Sequence, residues 1–180
     1  MQTFLPYEDF KDSFKVLDNK RLGKQRVEAY QIISAITGRP KKDGTPYKGW
    51  INHPCSVMWR PYVNALKLYY NDCIDEWKSR GFKNTMEYET IEGEFKMPHW
   101  LGFERFHSSH RANLLRKDID YYSKHGWLED PEDPYVWLDK DGKWYEQVVG
   151  TKTRIFINDI FGDKHWDYYS GLPSPSSYSE

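Results

Sequence analysis

The sequence has little of what usually announces a protein's class. It holds two cysteines, Cys55 and Cys73, in 180 residues, too few for a disulfide framework. No apolar run approaches the ~20 residues a membrane-spanning helix requires, so no span and no membrane partner are expected. Residues 1–10 lack a basic stretch followed by an apolar one, which excludes a secretory signal. A reducing, cytoplasmic setting fits. Neither sign of charge dominates: the net charge of -1 excludes a histone-like protein. There is no glycine-rich phosphate loop, no dinucleotide fingerprint and no nucleophile elbow. The Cys-x-x-Cys and His-Glu-x-x-His spacings are also missing, so no cofactor and no metal are implied.

What is present is aromatic. Hydrophobic residues make up only 38%, but 17% of the chain is Phe, Trp or Tyr. Each ring buries a large area and offsets the scarcity of aliphatics. The length predicts one domain, here a body with an appendage. Charge divides the two. Residues 1–126 carry 21 Lys and Arg against 16 Asp and Glu, and residues 127–180 carry 5 against 11. A mildly basic body permits a polyanionic partner without requiring one.

Local signals predict a mainly α fold: a compact body of three to four helices with a C-terminal appendage, packed on it, that contains a β-hairpin. Asp9 is placed to cap a short helix with Phe10, Phe14 and Leu17 on one face. Asp18 opens a second helix that Gly38 stops. On it Leu22, Ala29, Ile33 and Ile36 form the core stripe, and Arg21, Lys24, Gln25 and Glu28 form an adjoining polar arc. Residues 38–52 read as loop. A long helix begins at Pro54 and ends at Gly81, with Val63, Leu66, Tyr70, Cys73, Ile74 and Trp77 buried and Pro61 kinking or dividing it. Residues 82–100 read as mostly loop, and a last helix covers much of residues 103–122. Residues 136–138 and 143–145 flank an Asp141-Gly142 turn as a hairpin, and residues 152–158 add a third strand. Leu172 to Glu180, rich in Ser and Pro, is expected to be frayed or loosely docked.

Three groups of residues can carry chemistry. Glu28 beside Arg21 and Lys24 is either a solvated ion-pair stripe or an acid held near a polyanion. His107 and His110 share a helix face. They admit three readings: a metal pair completed by His53 or His99, phosphate contacts alongside Arg111, Arg116 and Lys117, or neutral rings bonded to backbone. Cys55 and Cys73 read as small core residues, and the aromatic appendage as base-stacking surface or as a mini-core.

The ordered motifs resemble a known family. The run Val16-Leu17-Asp18-Asn19-Lys20-Arg21-Leu22-Gly23-Lys24-Gln25-Arg26-Val27-Glu28 looks like the Leu-Asp…Arg-Leu…Glu helix of the pyrimidine dimer DNA glycosylases, the phage endonuclease V family. Asn52-His53-Pro54, opening a helix that ends Lys78-Ser79-Arg80-Gly81-Phe82, is similar to the family's second long helix. Pro98-His99, then Ser108-Ser109-His110-Arg111 and Leu114-Leu115-Arg116-Lys117, resembles its C-terminal helix. Gln2 to Tyr7 and Asp133 to Trp137 resemble a longer branch of the family. The likeness to the prototype spans roughly residues 1–125.

The resemblance implies a monomeric DNA glycosylase with AP-lyase activity, acting on double-stranded DNA that carries dimerised or otherwise altered pyrimidines. It needs no cofactor. It implies a Schiff base through the chain's own α-amine and a helix glutamate that matches Glu28. Gln2 follows Met1, and so bulky a second residue should leave the initiator in place, making Met1 the amine. The DNA-binding set implied is Arg21, Lys24, Gln25, Arg26, His53, His107, His110, Arg111, Arg116 and Lys117. The chain departs from the prototype where Val27 replaces a basic residue and Gln25 an acid. Two alternatives stand beside this reading. One is a non-catalytic DNA-binding module on the same scaffold, and the other a metal-dependent enzyme using His107 and His110.

Overall fold

The computed structural model describes residues 2–41, 43–47 and 49–157. Met1 and the stretch from Leu172 to Glu180 lie outside the described residues. The order is α1 (Phe10–Lys15), α2 (Asn19–Thr37), α3 (Pro54–Trp59), α4 (Val63–Ser79), α5 (Glu104–Lys117) and α6 (Ile119–Tyr122), then β1 (Tyr135–Leu138), β2 (Trp144–Gln147) and β3 (Arg154–Phe156).

Local chemistry sets most of these boundaries. The carboxylate of Asp9 accepts from the Asp12 amide at 2.9 Å, and that of Asp18 from the Arg21 amide at 2.9 Å, each filling an N-cap. Gly38 ends α2 in the left-handed conformation, φ 66°. Pro61 divides the second long helix. Its ring cannot continue the ladder, and a 3₁₀ turn over Arg60–Tyr62 joins α3 to α4. The last helix is also shorter than its pattern implied. Asp118 turns to φ -163°, leaves the helix and caps α6 by accepting from the Tyr121 amide at 3.2 Å.

Helix α2 packs along α4, and Gly23 permits their close approach. A Cβ there would lie 2.9 Å from the Trp77 ring. The buried face of α2 includes Leu22, Ala29, Ile32 and Ile33, whereas Ile36 is only partly buried. On α4, Leu66, Tyr69, Tyr70, Cys73 and Ile74 are fully enclosed, and both cysteines are unpaired core residues. The long connection over residues 82–100 has no element of its own. It lies along α4, whose side chains take up its carbonyls. Tyr70 donates to Glu87 at 2.7 Å, Asn71 to Glu89 at 2.9 Å and Lys67 to Thr90 at 2.8 Å.

The three strands form one antiparallel sheet in the order β1-β2-β3, with Leu138 opposite Trp144 and Gln147 opposite Arg154. The hairpin turn is closed by Asp139, whose carboxylate accepts from the Asp141 and Lys143 amides, each at 2.8 Å. The sheet shares the core of the body. Val136, Trp137, Leu138, Trp144 and Tyr145 are continuous with the helical cluster. The Trp144 ring lies 4.8 Å from Phe103, and Ser109 Oγ on α5 accepts from the Val136 amide at 3.2 Å. Among the described residues no helix is long and apolar enough to cross a membrane.

Candidate active site

Residues 2–5 are buried but belong to no helix or sheet. A buried backbone must find hydrogen-bond partners, and here side chains of distant elements supply them. The Gln2 amide donates to Glu28 Oε2 at 3.2 Å, and the Phe4 amide to Gln25 Oε1 at 2.9 Å. The Phe4 carbonyl lies 3.0 Å from the Tyr69 hydroxyl. The Leu5 amide donates to His110 Nδ1 at 2.8 Å, and the Leu5 carbonyl accepts from His107 Nδ1 at 2.8 Å. The Pro6 carbonyl accepts from Arg111 at 2.8 Å. The side chain of Thr3 is held as well, accepting from Trp59 Nε1 at 2.9 Å.

These bonds decide several residues singled out in the sequence. The His107 and His110 rings are neutral and carry opposite tautomers. His107 accepts from the Gly102 amide at Nε2, so its proton is on Nδ1, whereas His110 accepts at Nδ1 and carries its proton on Nε2. Burial pushes both towards the neutral form. His107 has no nitrogen left for a metal, and among the described residues no cluster of three or more potential ligands forms. Arg111 is enclosed too, paired with Glu129 at 2.6 Å and with Glu104. Arg116 donates to the Pro131 carbonyl at 2.8 Å. Arg26 lies over the Trp77 ring at 4.0 Å and donates to Asn84 at 2.8 Å. These side chains are committed to partners within the protein. The backbone-bonded reading of the two histidines is the one the geometry supports.

The polar arc of α2 divides in two. Lys24 is exposed, while Gln25 and Glu28 are buried and face the chain start. Gln25 uses all its hydrogen-bonding positions. Its Oε1 accepts from Phe4 and Tyr69, and its Nε2 donates to the Gln2 carbonyl at 2.9 Å and to Glu28 Oε2 at 3.1 Å. Glu28 Oε1 lies 3.5 Å from Lys24 Nζ. A solvated ion-pair stripe does not describe this carboxylate.

Glu28 borders a cleft of about 830 Å³ between α2, the start of α3, the end of α5 and the sheet. Six lining side chains are cationic: Lys20, Arg21, Lys24, Lys117, Lys152 and Arg154. Among the described residues, Glu28 is the one acid that lines it. Phe4, Tyr135, Trp137, His53 and Pro54 supply an apolar part. Burial pushes His53 down to about 4, which keeps it neutral. Partial burial and the charges of Arg21, Arg116 and Lys24 lower Lys117, with Glu28 acting the other way. A cleft of this kind draws in a polyanion and offers it one carboxylate beside the buried chain start.

A family model described as pyrimidine dimer DNA glycosylase matches residues 1–90. The chain belongs to the pyrimidine dimer DNA glycosylase family. A glycosylase-type function on DNA follows from that membership. No curated protein and no solved structure matches the chain closely enough to add to this. The family match takes in α2, with Glu28, Arg21 and Lys24, and His53 at the head of α3. Of the site residues named in the sequence, Arg21, Lys24, Gln25, Glu28, His53 and Lys117 border the cleft. Arg26, His107, His110, Arg111 and Arg116 do not border it. Sequence reasoning missed Lys20, Lys152 and Arg154. Lys20 stands four places before Lys24 and shares its helix face, a signal that was available. Lys152 and Arg154 lie in an acidic segment, where nothing local distinguishes them.

Proposed function

We propose that the protein is a DNA glycosylase with AP-lyase activity on duplexes carrying pyrimidine dimers or another altered pyrimidine, and that the α-amine of Met1 is its nucleophile. The observation that carries this reading is the 3.2 Å hydrogen bond from the Gln2 amide to Glu28 Oε2, at the edge of a cationic cleft. An α-amine is three covalent bonds from the next residue's nitrogen, so it stays within about 4 Å of that nitrogen in any conformation. That short reach from the Gln2 nitrogen supports pairing the amine with the Glu28 carboxylate. With a pKa of about 7.7–8.0, part of such an amine is neutral and nucleophilic near neutral pH.

The chemistry is then as follows. The amine nitrogen attacks the sugar C1′, the new N–C1′ bond forms and the C1′–base bond breaks, its electron pair leaving with the base. Loss of a proton from nitrogen and opening of the sugar ring give the imine. Removal of a C2′ proton then expels the 3′ phosphate by β-elimination and nicks the strand. Glu28 offsets the positive charge that develops at C1′ and nitrogen, passes the nitrogen proton to the ring oxygen as the C1′–O4′ bond breaks, and is then free to take the C2′ proton. Arg21, Lys24 and Lys117 hold backbone phosphates.

Borohydride trapping on irradiated duplex tests this directly. A covalent adduct that maps to the peptide beginning at Met1 is the expected result. No adduct under conditions of full DNA binding favours the non-catalytic module. An adduct that maps to Lys117, a cleft amine whose charge is disfavoured, would keep the lyase and move the nucleophile.

A further inference from the structure

The family match ends at residue 90, yet part of the cleft wall comes from far beyond it: Tyr135, Trp137, Gln147, Thr151, Lys152 and Arg154. Residues 127–157 carry seven acids and four cations. None of the acids borders the cleft, and two of the four cations do. Three of the acids are engaged elsewhere. Glu129 pairs with Arg111, Glu146 with Arg105, and Asp139 closes the hairpin turn. Among these residues the only charged side chains that border the cleft are thus positive, although the segment is acidic. A mini-core that merely covered α5 would not require this.

The wall is also braced. The connection between β2 and β3 is closed by the Val148 amide, which donates to the Thr153 carbonyl at 3.1 Å, and by Gln147 Nε2, which donates to the Thr151 carbonyl at 2.5 Å. The Arg154 guanidinium lies over the Tyr145 ring, 4.7 Å from its centre, and Tyr145 is a core residue. Lys152 and Arg154 are exposed, and the sheet holds the segment that carries them in place.

We propose that the β2–β3 connection is a second phosphate-gripping wall. In it Lys152 and Arg154 contact the DNA backbone across the cleft from Lys20, Arg21 and Lys24. The duplex is then held from two sides, with the damaged nucleotide between them over Glu28. This rests on the glycosylase reading above. It adds a DNA contact from a segment outside the matched region.

The test is the salt dependence of binding to irradiated duplex by the full chain and by K152A/R154A. Removing one phosphate interaction lowers the slope of log K against log salt by about 0.9, so the double variant should drop by nearly two units. K152E/R154E should weaken binding further. K140A/K143A, which removes the segment's two other described cations, should leave the slope as it is. An unchanged slope in K152A/R154A, while K20A/K24A lowers it, overturns the wall and leaves the glycosylase reading standing. A wild-type chain that binds no duplex in a salt-dependent way overturns both.

Discussion

Helices α2 and α5 do the same structural task with opposite consequences. Both grip the buried N-terminal segment by side chains, α2 through Gln25 and Glu28 and α5 through His107, His110 and Arg111. On α5 the gripping groups are enclosed. On α2 the gripping carboxylate also borders the cationic cleft. A polar residue's chemistry thus depends less on its type than on whether its remaining valence reaches solvent. His110, enclosed on every side, is an acceptor for one amide. Glu28, with a similar amide bond, is beside the place where a substrate can lie.

Replacing the two gripping groups tests this contrast, and Glu28→Gln should have the larger effect. The amide oxygen can still accept from the Gln2 backbone, so the fold should persist while the charge is removed. Single-turnover base release is expected to fall by about 10²–10⁴-fold. Affinity for duplex should hold or rise, since a negative charge leaves a site that faces phosphate. Full activity in this variant would make α2 as purely structural as α5.

His110→Ala should invert the pattern. It strands the Leu5 amide in the core and opens a cavity, at a cost of about 2–4 kcal/mol in urea unfolding. The salt slope of DNA binding should not move. Lys24→Ala should lower that slope by about 0.9 and leave the unfolding midpoint where it is. A salt-slope change in the histidine variant would mean that α5 meets DNA after all.

The pH dependence of stability sharpens the same distinction with a smaller effect. Burial holds His53 down to about 4 and lowers His107 and His110 as well. An unfolded histidine titrates at about 6.5. Between these values the unfolded chain takes up protons that the folded chain does not, so stability falls as pH drops. Melting temperatures should therefore decline from pH 7 to pH 5. A flat profile would place these imidazoles in solvent.

The appendage shows how far a sequence reading can reach. Its hairpin was legible because Asp141-Gly142 and the flanking apolar residues are local signals, and the third strand was legible for the same reason. Its charge pointed the wrong way. A segment with a net charge of -6 over residues 127–180 gives no hint that it turns cations towards a basic helix more than a hundred positions earlier. The motifs around His110 stood out because histidine and arginine carry chemistry elsewhere, and nothing local in them told that these side chains bond the backbone of residues 5 and 6.

Short-range forces account for everything the chain declares on its own. Caps at Asp9 and Asp18, the left-handed stop at Gly38, the break at Pro61 and the Asp-Gly turn all act within a few residues, and the fold keeps each of them in place. The position of Glu28 one helix turn from Gln25 was also legible, as was the family motif that contains it. Which polar groups face the core and which the cleft was left to the tertiary structure. The partners that decide it are remote: Leu5 and His110 are separated by 105 positions, and Phe4 and Gln25 by 21. A hydrogen bond across such a separation leaves no periodicity, spacing or composition in the chain. It exists only once the core has brought the two segments together.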